Sequence, residues 1–191
     1  MEYTLLKKDT VNIGLTKLYR IKYKNGKLGG YLESKKNLDE NSNAWVFGDA
    51  QVFGDAWVFG DAWVFGDAQV FGDAWVSGDA KVYGDAKVSG DAKVYGDAQV
   101  SGDAKVFGNA RVYGDAQVSG DAQVSKSPIN LINACEFNIT AYAGYIQVGC
   151  KLHTIAKWKT LNKSKAYKSL CKDYASCVVA VKFAISCLEN Q

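Results

Sequence analysis

The chain is expected to be mainly β, a parallel β-solenoid of about 18 residues per coil. A cap precedes the solenoid, and a strand-plus-helix segment follows it. Three observations carry this reading. Thirteen unbroken hexads of the form A-x-V-[FYS]-G-D run from Ala44 to Asp121, with Asn109 as the one replacement of Asp. The variable position reads Trp45, Gln51, Trp57, Trp63, Gln69, Trp75, so Trp-Gln-Trp recurs every third hexad. The periodicity stops at Lys126 and Pro128. A fixed period of this kind outranks local propensity as a guide to fold.

The expected parts are a cap over residues 1–43, the hexapeptide solenoid over 44–127, an irregular strand-containing extension over 128–162, and a helix over 163–191. In the first part "LYRIKY" alternates as a strand does, and Asn25-Gly26 supplies a hairpin turn. "GGYLES" is read as the start of a first, irregular coil. A solenoid end is an open sheet edge, and the N-terminal region is expected to cover it.

Within each hexad the β-branched Val, as in Val46, Val52 and Val58, suits a strand and points inward. Ala fills the inner corner. Gly permits backbone angles that other residues resist. The adjoining Asp is expected to cap the bend by accepting from backbone N–H groups. No hexad can bury a core alone, so stacking of coils is required. An eighteen-residue coil sets Trp45 beside Trp63 and Trp57 beside Trp75. The aromatic position alternates at twelve between Ser77 and Ser101, and a two-sided coil would follow that period instead.

After Pro128, "INLINACEFNITAYAGYIQVGCKLHTIAKW" reads as further strands and irregular coil. Tyr167, Leu170, Cys171, Tyr174, Val178, Val181, Ile185 and Leu188 then recur every three or four residues. They mark one face of a helix from about Lys163 to Leu188. Such a helix could cross the solenoid end or pair with its copy.

The iterated A-x-V-x-G-D unit resembles the left-handed parallel β-helix of hexapeptide-repeat proteins. Val46 and Ala50 match that family's aliphatic and small positions, and later hexads repeat the match. Its outer face differs, with Phe47, Phe53, Phe59, Phe65 and Phe71 beside the aliphatic residue. The wider combination also resembles a group of phage and prophage repeat proteins from low-GC Gram-positive bacteria. Gly29, Gly30, Tyr31, Leu32, Glu33 and Ser34 match its first segment. Ile146, Gly149, Cys150, His153 and Trp158 match its last. This resemblance implies a phage or prophage source.

Composition narrows function. The net charge of +3 is distributed unevenly: +4 over residues 1–43, −7 over 44–125 and +6 over 126–191. No apolar run approaches the roughly 18 residues of a membrane span. The opening "MEYTLLKKDTVNIG" lacks the pattern of a secretory signal. The cytoplasm is the expected location, that of a host cell if the chain is phage-encoded. Five cysteines lie in the C-terminal third; Cys150 and the single His153 stand three apart, but no CxxC partner follows, and no metal or cofactor is expected. Lys and Arg interrupt the acidic rows, which argues against nucleic acid as partner or model for mimicry.

Three function classes follow. An acyltransferase-like enzyme of this fold would place a His at a groove between subunits, but the repeat holds no His. A nucleotide-binding protein directed against host defence would use anion sites, for which Arg20, Arg111, Lys151 and His153 are the candidates. The leading expectation is a non-catalytic, self-associating scaffold or protein-interaction module, as trimer or dimer, with a host protein as a further possible partner. Its candidate interface is Trp45, Phe47, Trp57, Phe59, Trp63, Phe65 and Trp75, because large exposed aromatic patches usually meet a partner. From Lys81 onward the variable position turns cationic, so the contact region is expected toward the N-terminal coils.

Overall fold

Val46 lies beside Val64, Val52 beside Val70 and Val58 beside Val76, each in a parallel pairing. One coil is therefore eighteen residues, and the twelve-residue alternative is ruled out. The computed structural model describes residues 2–131, 137–149, 151–161 and 174–189. It opens with an antiparallel meander of β1 (Tyr3–Ile13), β2 (Thr16–Tyr23) and β3 (Leu28–Leu32). Two-residue strands β4 to β17 then run from Trp45–Val46 to Gln123–Val124, one in every hexad. They form three parallel faces. The first carries Gln51, Gln69, Lys87, Lys105 and Gln123; the second Trp57, Trp75, Lys93 and Arg111; the third Trp45, Trp63, Lys81, Gln99 and Gln117.

Every Val and Ala of the repeat points inward, and none is more than 3% exposed. Burying one Val contributes roughly 1.5–3 kcal/mol. Ordering the backbone of six residues costs about 6–12 kcal/mol. A hexad thus depends on its neighbours, which add an inter-coil ladder. Trp45 N–H donates to Ala62 O at 2.8 Å, Phe47 N–H to Val64 O at 3.0 Å and Asp49 N–H to Gly66 O at 2.9 Å.

The corner differs from the sequence expectation. Asp49, Asp61 and Asp67 use their backbone N–H between coils, and the repeat's carboxylates stand at the outer edge. Among the described residues their hydrogen bonds go to side chains, not to the backbone N–H groups of the bend. The reason is local: the inter-coil ladder already takes the amide that a carboxylate would cap. The bend is made by glycine. Gly66 has φ +72°, and a Cβ there would lie 3.1 Å from Gly84 N in the next coil.

The N-terminal region is part of the winding as well as a cap. Tyr31 and Leu32 of β3 pair in parallel with Gln51 and Val52, and Leu38 bridges to Val58. Leu32, Leu38 and Val46 thereby supply the three inward positions of a first coil. "GGYLES" starts this coil, as its sequence implies. A Cβ on Gly30 would collide with Ala50 O, so the close approach of these backbones requires glycine. The buried Tyr23 hydroxyl donates to Val46 O at 2.9 Å, and the Tyr3 hydroxyl donates to Leu38 O at 2.8 Å.

Beyond the solenoid, the expected irregular extension is an antiparallel sheet of β18 (Ile129–Leu131), β19 (Ile139–Tyr142), β20 (Tyr145–Val148) and β21 (Lys151–Thr154). A short helix, α1 (Ile155–Leu161), follows where only strands and coil were expected. Thr154 starts it by accepting from Lys157 N–H at 3.2 Å. Trp158 holds it down, buried and donating to Ile146 O at 2.6 Å. The helix α2 spans Tyr174–Glu189. Its Cys177, Ala180, Val181, Ala184 and Ile185 join Ile139, Ile146 and Trp158 in a second core. The sheet meets the solenoid end: Gln117 N–H donates to Thr140 Oγ1 and Ser119 N–H to the Tyr142 hydroxyl, both at 3.3 Å. Tyr167, Leu170, Cys171, Cys135 and Cys150 lie outside the described residues.

Burial pushes the Tyr23 phenol up to about 12 and raises that of Tyr3 as well. A phenol kept neutral by folding adds stability that is complete below its unfolded pKa of about 10 and is lost as pH rises through the folded value. Stability is therefore expected to fall between pH 10 and 12, with Tyr23→Phe showing a shallower fall over that window. Chemical denaturation at stepped pH measures both, and equal slopes would contradict the assignment.

Candidate interaction surface

Strand alternation sends the residues on either side of each Val outward, where coil stacking turns them into columns. Phe47 stacks on Phe65 at 5.0 Å and Phe65 on Tyr83 at 4.9 Å, the rings within 3° of parallel. Phe53 stacks on Phe71 at 5.1 Å. Such pairs add roughly 0.5–1.5 kcal/mol each beyond burial. The second face is richer still. Trp57 stacks on Phe59 at 4.1 Å and meets Trp75 edge-on at 6.1 Å, and Tyr95 stacks on Tyr113 at 5.5 Å.

Exposure separates the interface candidates. Trp57, Trp63 and Trp75 are 37%, 44% and 40% exposed. Phe47, Phe59 and Phe65 are half-buried within their stacks. Trp45 is half-buried beneath Tyr23, whose ring lies 4.5 Å away, because the N-terminal meander folds back over it. The exposed aromatic surface also continues past the N-terminal coils. Tyr95 and Tyr113, 36% and 45% exposed, extend the second face. Their signal was the eighteen-residue spacing from Phe59 through Ser77. Where the cationic residues begin, they rest on the rings: Lys93 Nζ lies 4.0 Å from the Trp75 ring centroid, and Lys81 Nζ lies 6.0 Å from that of Trp63.

The Asp corners form three rows, and each meets a donor at its N-terminal end. Arg20 contacts Asp49 at 3.0 Å, Lys36 contacts Asp55 at 2.6 Å, and Asn43 Nδ2 donates to Asp61 at 2.9 Å. Shallow grooves of about 610 and 600 Å³ run between two of the rows and the adjoining columns. Asp73, Trp75, Lys93 and Arg111 line the first. Asp67, Gln69, Lys87 and Lys105 line the second. Among the described residues, no group of three or more His, Cys, Asp or Glu could hold a metal.

The four anion-site candidates are not brought together. Arg20 lies in β2 of the N-terminal meander, ion-paired to Asp9 at 3.1 Å as well as to Asp49. Its guanidinium also donates to Gly29 O and Gly48 O and lies over the Tyr31 ring at 4.2 Å. Arg111 is exposed on the second face, and Lys151 and His153 lie in β21 beyond the solenoid. His153 packs edge-on against Trp158 at 5.3 Å.

A family model described as the YdcK Beta solenoid repeat matches residues 98–114 and 104–120. The two windows are offset by one hexad, so the likeness follows the same six-residue register. No curated protein matches the chain. Among the described residues, no helix is long and apolar enough to cross a membrane.

The geometry of Arg20 joins meander to first coil through charged hydrogen bonds, which contribute about 1.5–3 kcal/mol each where well buried and less where exposed. Arg20→Ala is expected to lower stability by about 2 kcal/mol and to speed amide exchange in the first coil. Exchange rates equal to wild type would remove Arg20 from the docking of the cap.

Proposed function

We propose that this β-solenoid is a non-catalytic interaction module that associates with copies of itself through its exposed aromatic surface. The observation that carries the reading is the group of exposed indoles, Trp57, Trp63 and Trp75, on strands whose inward residues make a rigid core. Large rings held at fixed positions bind with little loss of side-chain freedom, and Trp is enriched among the residues that dominate interfaces. A phage or prophage origin, and a host protein as a second partner, belong to the same proposal and rest on the family resemblance of the terminal segments.

The nucleotide-binding alternative draws less support. Its cationic candidates are dispersed, and Arg20 is already engaged by two carboxylates. An acyltransferase-like role would need an imidazole at a groove, whereas His153 packs against Trp158 in the C-terminal sheet.

Replacing Trp57, Trp63 and Trp75 together by Ser is expected to weaken association at least about tenfold while leaving the coils folded, since all three are partly open to solvent. Sedimentation velocity reads the assembly and circular dichroism the fold. An unchanged assembly would contradict the proposal.

A further inference from the structure

The second face is set apart by what it leaves exposed. Trp57, Trp75, Tyr95 and Tyr113 all lie on it, whereas Trp63 stands on the third face and Phe107 on the first. Along its axis the variable column reads Trp57, Trp75, Lys93, Arg111, in paired register. One half is aromatic and the other cationic. The neighbouring column reads Phe59, Ser77, Tyr95, Tyr113.

This order is self-complementary under one operation. A two-fold axis parallel to the strands, midway between Trp75 and Lys93, inverts the column. It sets Trp57 opposite Arg111 of a second copy and Trp75 opposite Lys93 of that copy. In the neighbouring column it sets Phe59 opposite Tyr113 and Ser77 opposite Tyr95. In the corner row, Asp55 faces Asn109, the single Asn among the thirteen corners, so one like-charge contact becomes a donor–acceptor pair. Asp73 faces Asp91, and Lys93 lines the groove that holds both. The preferred contact is already made within one chain, where Lys93 lies 4.0 Å from the Trp75 ring centroid. Parallel pairing of the same faces would instead oppose Lys93 to Lys93 and Arg111 to Arg111.

We infer that the second face pairs two copies antiparallel about this axis, each copy's Trp half covering the other's cationic half. The inference rests on the self-association proposed above and adds its partner surface and register. A two-fold interface is isologous, so each contact occurs twice. Cations over Trp rings attract, most strongly when desolvated. The face is four strands deep, about 15 Å between its outer strands at the usual spacing. It is small beside the ~800 Å² per partner of a standard interface, so the pairing is a reversible one.

An exchange of residues tests the register. Trp57→Arg places two cations opposite each other twice, and is expected to weaken dimerisation at least about tenfold in sedimentation equilibrium. Adding Arg111→Trp in the same chain restores each aromatic–cation pair, and is expected to return the Kd to within about threefold of wild type. Trp75→Lys with Lys93→Trp is the independent second pair, and circular dichroism confirms that each variant is folded. Loss without restoration in both pairs would overturn the antiparallel register while leaving self-association standing. A dimer indifferent to Trp57→Arg and Trp75→Lys would overturn this face as the contact. A wild-type monomer throughout the micromolar range would overturn the self-association reading and this inference with it.

Discussion

The inter-coil hydrogen bonds leave unpaired backbone groups at both ends of the stack, and the rest of the molecule answers to them. In each hexad the N–H of the residue before Val pairs with an acceptor about one coil later, as Trp45 does with Ala62 O. The N-terminal end of the stack presents both carbonyls, those of Val46 and Gly54 among them, and N–H groups, those of the same two residues; the C-terminal end presents the N–H groups of Arg111, Gln117 and Ser119. A buried group of either kind left unpaired costs about 1–3 kcal/mol. Both caps bring polar side chains to these groups for this reason. At the N-terminal end donors and acceptors both arrive: the Tyr23 hydroxyl donates to Val46 O and accepts from Val46 N–H, the Glu33 carboxylate accepts from Gly54 N–H, the Arg20 guanidinium donates to Gly48 O, and Asn37 Nδ2 donates to Gly54 O and Ala56 O. At the C-terminal end oxygens accept: Ser127 from Arg111, Thr140 from Gln117 and Tyr142 from Ser119.

The contrast between the repeat and its caps explains what could be read in advance. The eighteen-residue coil, the inward Val and Ala, and the Phe47–Phe65–Tyr83 column all follow from periodicity, because identical units stack identically. The caps are not periodic. Arg20 finds its carboxylates at Asp9 and Asp49, eleven and twenty-nine positions away, so no local pattern announces the contact. The helix α1 left a faint trace in Thr154 before Ile155, overshadowed by the strand-like residues preceding it. Trp45 looks equivalent to Trp63 in sequence, and only the return of the meander distinguishes them. The Asp corner looks like a capping residue, but its solenoid neighbours had already taken the amides.

A scaffold whose interior is fixed leaves its exterior free to vary. The three faces share one backbone and one core, yet the first carries Gln and Lys, the second Trp and cations, and the third a mixture of both. Gln69 Nε2 donates to Gln51 Oε1 at 2.8 Å, so part of the first face binds itself. The aromatic surface of the second face is only partly satisfied by its own stacking. Its open rings stand on a frame that hydrogen bonds hold from both ends, the condition under which a weak surface can still be specific.

The capping of the ladder is best tested at its C-terminal edge by native-state amide exchange in wild type and Tyr142→Phe. Loss of the hydroxyl acceptor should speed exchange of the Ser119 amide by about tenfold or more, the equivalent of one lost hydrogen bond. The interior Phe65 amide, which donates to Val82 O at 3.0 Å, should stay as protected as before. Unchanged protection at Ser119 would contradict the account, because the cap would then not be supplying the acceptor that the open end of the stack requires.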